Sequence, residues 1–303
     1  MIGQQGDVTN GSEQERLEQV LKTINADERW PWFITGHPKG GEQGGAWYVE
    51  ASRGRTAVLK ISGPSWATQM LHAGPAVALV RRAGYPTPAW IKSGRTADGT
   101  GYLLQERVPG AALASVDVGS AKALVATLAM QEGLDPGPER NWNDFVVGQL
   151  TRNMDSLCSA ASTAGPSGKH LVDVCWRLAG DLDARDWPRS DMVHGDFRPA
   201  NVLLVNAAVT GVVDVEAIGS GTRAFDFATL LSYGPIDVGA VELLVTAGIS
   251  AGGRQALRAC AALVFLDLIR FVVGRHGATS EHTAAETAQL LERAAMIDTL
   301  TSA

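Results

Sequence analysis

The stretch His194-Gly195-Asp196-Phe197-Arg198-Pro199-Ala200-Asn201, followed after a short interval by Asp214, decides how the rest of the chain is read. An acid, an amide five residues on, and a second acid beyond a hairpin is a layout that holds magnesium beside a nucleophile. Magnesium takes hard oxygens from one or two side chains and keeps its other positions for water and phosphate. Asn201 and Asp214 offer such oxygens, and Asp196, in the loop before them, can face an attacking hydroxyl. With six His, 18 Asp and seven Asn among 303 residues, the pattern HxDxxxxN arises by chance roughly 0.01 times. A polar turn capped by its own Asp and Asn is therefore a poor account of it. Zinc fits worse, because no third His or Cys stands at ligand spacing and Asn201 would have no role.

Outward from this segment, the apolar runs Val202 to Val205 and Val212 to Val215 flank a turn of small and polar residues and predict a β-hairpin. Upstream, helices are expected over Ser120 to Glu132, Asn143 to Ala160 and Ser167 to Leu182, and the chain beyond Gly221 reads as helical. Before Val108-Pro109-Gly110 the texture differs. Ser12 and Glu15 suggest a capping box opening a helix. Trp32 to Gly36, Ala46 to Ala51 and Thr56 to Ser62 read as an antiparallel meander. A helix follows over Ser65 to Ala83, then strands over Ala89 to Ser93 and Gly101 to Arg107. The expectation is an α+β chain with a small antiparallel-sheet lobe over 1–108 and a larger, mainly helical lobe over 109–303.

Composition narrows the function. Hydrophobic residues make up 45% and the net charge is −6, which supports a sizeable core and argues against a nucleic-acid partner. Cys158, Cys175 and Cys260 form no CxxC pair and read as buried thiols of a reducing compartment. The N-terminus has no basic start followed by an apolar run. The apolar stretch Ala259 to Gly274 is interrupted by Asp267 and Arg270 and is too short to span a bilayer. A cytoplasmic protein without a membrane partner is expected. Monomer and dimer are both left open.

HGDFRPAN, then VVDVE, then FDFATLL resembles the aminoglycoside phosphotransferase group within the protein-kinase-like superfamily. The resemblance implies a two-lobed kinase-like fold with ATP or GTP in the cleft. It implies Asp196 as catalytic base, Asn201 and Asp214 as ligands of Mg2+, and His194 and Asp226 as structural support for the loop. The loop HPKGGEQGGAW, with Gly40, Gly41 and Gly44, looks like the segment that covers the nucleotide. Lys60 of AVLK looks like the phosphate-contacting lysine. LLQERVPG looks like the hinge, with the Glu106 carbonyl and Val108 amide toward adenine. The acceptor is a small molecule. Relatives that act on polyamine antibiotics meet the positive charges with carboxylates, for which Asp135, Glu139, Asp144, Asp155, Glu216, Asp237 and Asp267 are the candidates here. A metabolic kinase or a nucleotide-binding module without activity are the other readings.

The chain departs from that pattern twice. No acid lies between Ser65 and Ala83 to pair with Lys60, with Gln69 and His72 nearest the expected place, and Val215 stands where many relatives have an aromatic residue. Two further motifs compete. Gly248-Ile249-Ser250-Ala251-Gly252 matches a hydrolase nucleophile elbow, with Asp267 and His276 following in order, but GxSxG arises by chance about 0.2 times. Gly219 to Ala224 matches GxGxxA after the strand VVDVEAI, without an acid closing a second parallel strand about 20 residues on; Asp237 follows Gly234-Pro235 instead.

Overall fold

In a computed structural model the protein is described over residues 10–38, 45–137, 139–180 and 182–302. The chain divides into two compact units. One holds the described residues up to Gly110 together with Thr210–Ala217. The other holds Ala111–Val209 and the chain from Ile218 on.

The first unit is built on a five-stranded antiparallel sheet of β1 (Trp32–Gly36), β2 (Ala46–Ala51), β3 (Arg55–Ser62), β4 (Trp90–Arg95) and β5 (Gly101–Glu106), in the order β1-β2-β3-β5-β4. Strand alternation splits its side chains between two faces. Trp47, Val49, Ala57, Leu59, Tyr102 and Leu104 pack with Leu17, Val20 and Ile24 of α1 (Asn10–Asn25). Asn25 fixes the entry into β1 by hydrogen bonds to both backbone groups of Trp32. Helix α2 (Pro64–Arg82) buries Ala67, Met70, Ala73, Val77 and Val80. α1 already includes Asn10, so Ser12 lies inside the helix and is not its cap; the side chain of Ser12 is outside the described residues.

The second unit is helical. α3 (Val118–Ala129), α4 (Trp142–Arg152), α5 (Met154–Ser162), α6 (Gly165–Ala179), α7 (Ala224–Ser232), α8 (Val238–Gly252), α9 (Arg254–His276) and α10 (Glu281–Ser302) carry its core. α9 is buried on most sides, against α5, α6, α7 and α10, as an apolar helix must be. Asp267 and Arg270, which interrupt its apolar run, pair with each other. No helix among the described residues is long and apolar enough to cross a membrane. The three cysteines are free and buried, and burial raises the pKa of all three thiols.

Three further sequence expectations are corrected. The helix expected over Asn143 to Ala160 is two helices, because Asn153 leaves helical geometry at φ −121°. The hairpin turn is shorter than expected. Asn206 and Ala207 both adopt positive φ, 50° and 64°, which makes a two-residue turn matching strand twist. Its second strand, β9 (Ala208–Val212), therefore ends where the apolar run Val212 to Val215 was expected to begin one. β8 (Val202–Val205) precedes that turn and β6 (Ala111–Ala112) pairs with β8. Thr210–Ala217, expected in the helical half, groups with the sheet: Val212 N–H donates to the Pro86 carbonyl at 2.6 Å, and Gly211 lies against Val108.

Candidate active site

In the helical unit the site begins at β7 (Asp191–Val193), a buried strand paired antiparallel with β10 (Gly219–Gly221). The chain leaves β7 through His194 and Gly195. Gly195 has φ 83°, and a Cβ there would lie 2.2 Å from the Trp142 ring, so only glycine permits this exit. Asp226, in the first turn of α7 and fully buried, ties the exit down. Its Oδ2 accepts from the His194 N–H at 2.7 Å and from Gln131 Nε2 at 3.0 Å, and its Oδ1 accepts from the Gly195 N–H at 2.9 Å. Burial pushes the Asp226 carboxyl up to about 7, against the three donors, which favour the charged form.

The loop then presents its polar residues. The Asp196 N–H donates to His194 Nδ1 at 3.2 Å, and Phe197 anchors the segment in the core. Buried Asn201 ends a 3-10 turn (Pro199–Asn201), and its Nδ2 donates to the Asp196 carbonyl at 2.9 Å and to Asp196 Oδ2 at 3.0 Å. Asp196 remains 37% exposed, in contrast to Asp226. Sequence reasoning missed three contributors. Arg198 Nε lies 3.3 Å from Asp196 Oδ2, and its guanidinium stands over the Tyr233 ring at 5.4 Å. Gln131 comes from the turn after α3 and Trp142 from the start of α4, and only their polar or aromatic character at buried positions could have flagged them.

In the sheet unit, Lys60 lies on β3 opposite Ala46 of β2 and Leu103 of β5. Its ammonium donates to Asp214 Oδ1 and, at 2.7 Å, to Glu216 Oε1. Burial alone would lower the pKa of Lys60, but the two carboxylates outweigh it and hold the lysine above its ordinary range. Asp214 takes φ 63° just after β9, and Glu216 lies in a 3-10 turn (Val215–Ala217) packed on α2. The Glu106 side chain pairs with Arg81 at 3.3 Å and accepts from the Ala89 N–H at 3.2 Å. Glu106 and Val108 border a cavity of about 530 Å³ whose lining does not include Lys60 or Asp214. Gly40, Gly41 and Gly44 lie outside the described residues; Gly45, which follows them, accepts the Ile61 N–H at 2.8 Å.

Several of the acids named for a cationic acceptor have partners of their own. Glu216 is on Lys60, Asp144 pairs with Arg189 at 2.9 Å, and Asp267 pairs with Arg270. Asp135 accepts from Ser220 Oγ and from the Gly137 N–H. Asp155 lies in the first turn of α5, while Glu139 and Asp237 are exposed. The competing motifs also dissolve. Ser250 is inside α8, and Asp267 and His276 share α9, so there is no nucleophile elbow. Gly219–Gly221 is an antiparallel three-residue strand, so there is no dinucleotide loop.

Set beside known proteins, residues 35–263 match the phosphotransferase enzyme family. The chain belongs to this family. No curated protein matches it in sequence. Among solved structures it is similar to macrolide 2′-phosphotransferase MphH from Brachybacterium faecium, at 18% identity and TM-score 0.61, covering 91% of this chain and 98% of that one. A GDP complex of a variant aminoglycoside 2′-phosphotransferase-IIIa aligns at 14% identity and TM-score 0.63, covering 95% and 98%. A thermostable variant of aminoglycoside phosphotransferase APH(4)-Ia, in a ternary complex with ADP and hygromycin B, aligns at 16% and 0.57, covering 93% and 98%. These likenesses establish the kinase-like α+β fold, and family membership makes the protein a phosphotransferase.

Proposed function

We propose that this phosphotransferase moves the γ-phosphoryl group of ATP or GTP to a hydroxyl of a small molecule, with a cationic antibiotic as the acceptor class. The observation that carries the reading is the pair Asp196 and Asn201 on a loop braced by Asp226. Asp196 is partly exposed and held by Asn201, as a group that must orient an incoming hydroxyl and take its proton should be. Lys60 steadies the α- and β-phosphates. The sheet unit serves as the nucleotide lobe and the helical unit as the catalytic lobe, with the Glu106 carbonyl and Val108 amide toward the base.

The donor set suits Mg2+. Asp214 and Asn201 supply a carboxylate and a carboxamide oxygen, and the amide nitrogen of Asn201 is turned to Asp196, which leaves oxygen as its metal-facing atom. Among the described residues no group of three or more His, Cys, Asp or Glu is placed to enclose a metal; an ion shared with phosphates needs none. When bound, the ion neutralises phosphate charge. Alignment and charge neutralisation, more than covalent chemistry, supply the rate.

The test is nucleotide consumption across aminoglycosides, a macrolide and basic peptide antibiotics, beside simple sugars and amino alcohols. For a polycationic acceptor, KM rises with ionic strength, because partly exposed charge pairs are screened over roughly 8–10 Å. A flat response, or turnover confined to uncharged acceptors, selects the metabolic-kinase reading. That reading draws support from the arginines already paired with Asp144 and Asp267.

A further inference from the structure

Helix α2 carries no carboxylate along Pro64–Arg82, and the exposed His72 offers none in its place. Lys60 nevertheless has two acidic partners, and they differ. Asp214 is 41% exposed, whereas Glu216 is 21% exposed and lies on the turn that packs against α2. A lysine is a point charge on a flexible four-carbon stem, and it holds one position only where a fixed acceptor holds it. If Asp214 is to give its oxygens to a cation, it cannot also be the sole anchor of the lysine.

We infer that Glu216 is the residue that positions Lys60 in this chain, the task that an acid on α2 would otherwise perform. The inference rests on the reading of Lys60 as the phosphate contact. Glu216 lies in the turn that directly follows Asp214, two residues on, so the anchor of the lysine and the metal acid are neighbours on one short stretch of chain. Two carboxylates on one ammonium also leave a net negative charge for a cation to meet. Glu216 thereby leaves the set of acceptor-side acids in which its sequence position had placed it.

The test is calorimetric titration of ATP and of GTP into the full chain, once with EDTA and once with Mg2+. Wild type, Lys60→Ala, Glu216→Gln and the double variant are compared, with melting temperatures measured in parallel. A positioning role predicts that Glu216→Gln weakens metal-free nucleotide binding by about tenfold, and that Lys60→Ala does so at least as much. The double variant is then no weaker than Lys60→Ala alone, because the two act through one group. Glu216→Asp, which keeps the charge on a shorter arm, recovers part of the loss and serves as the comparison if Glu216→Gln does not fold. Wild-type affinity of Glu216→Gln without metal overturns the inference. So does a loss seen only with Mg2+, which would make Glu216 a metal ligand, or losses that multiply in the double variant. Lys60→Ala binding like wild type overturns the lysine reading itself, and this inference with it.

Discussion

In the helical unit the loop that carries Asp196 is fixed by neutral donors converging on one buried carboxylate: the His194 and Gly195 amides and the Gln131 side chain all point at Asp226. In the sheet unit Lys60 is fixed by charge, with two carboxylates on one ammonium at partly exposed positions. Hydrogen bonds to a buried acceptor are directional and costly to leave unmade, so they set the path of a backbone. Ion pairs near the surface tolerate small displacements and weaken with salt, so they suit groups that must adjust to a ligand. The protein braces with the first kind of bond and handles charge with the second.

The largest effect should come from the exposed acid of the helical unit. Asp196→Asn is expected to cut phosphoryl transfer by about 10³-fold or more while calorimetric nucleotide affinity stays near wild type. Normal turnover would remove Asp196 from the chemistry. Next, Asp226→Ala should leave three buried N–H donors without their acceptor and lower stability by about 3 kcal/mol or more, read from denaturant unfolding. If it unfolds like wild type, the brace is not what holds the loop. Asp214→Ala should then weaken magnesium-dependent nucleotide binding by more than tenfold, and Asn201→Ala by less, since a charged ligand is lost in one and a neutral one in the other. Equal losses would erase that distinction.

A subtler test concerns pH. With the Asp226 carboxyl at about 7 in the folded chain and 3.8 as its ordinary value, the folded state holds a proton between those values that the unfolded state has released. This contribution to stability is complete below the lower value and falls as pH rises toward the upper one, by about 1.4 kcal/mol per pH unit at its steepest. Asp226→Asn should flatten that part of the stability profile relative to wild type; parallel profiles would show that Asp226 stays ionised. The smallest effect is expected at Gln69→Ala and His72→Ala, each leaving nucleotide affinity within about twofold, as for surface changes generally. A loss matching that of Lys60→Ala would show that α2 does orient the lysine.

The contrast also explains what the sequence could and could not disclose. His194 to Asn201 is contiguous, so Asp196 and Asn201 were legible as a pair, and Asp226 followed from the resemblance. Gln131 comes 95 residues before Asp226, and Glu216 is 156 residues from Lys60. No local periodicity encodes such pairings; they arise when separate elements pack. The strand and helix runs of the sheet unit were legible because their apolar alternation is strong, but the position of β5 between β3 and β4 was not. The break at Asn153 and the two-residue turn at Asn206 and Ala207 were missed because single-residue backbone choices decide them.

The excursion Thr210–Ala217 carries a consequence for anyone dividing the gene. The sheet unit is not one continuous piece of chain, since it borrows eight residues from far downstream. A fragment ending at Gly110 would keep every strand of its five-stranded sheet and lose both counter-charges of Lys60, along with the strand segment that satisfies the Pro86 carbonyl. Such a fragment would present a solitary cation in a half-buried place, where polyanions of many kinds could attach. Nucleotide retained by it in a pull-down would therefore report on stray electrostatics and not on the native pocket. A faithful minimal piece has to splice the downstream octet back in.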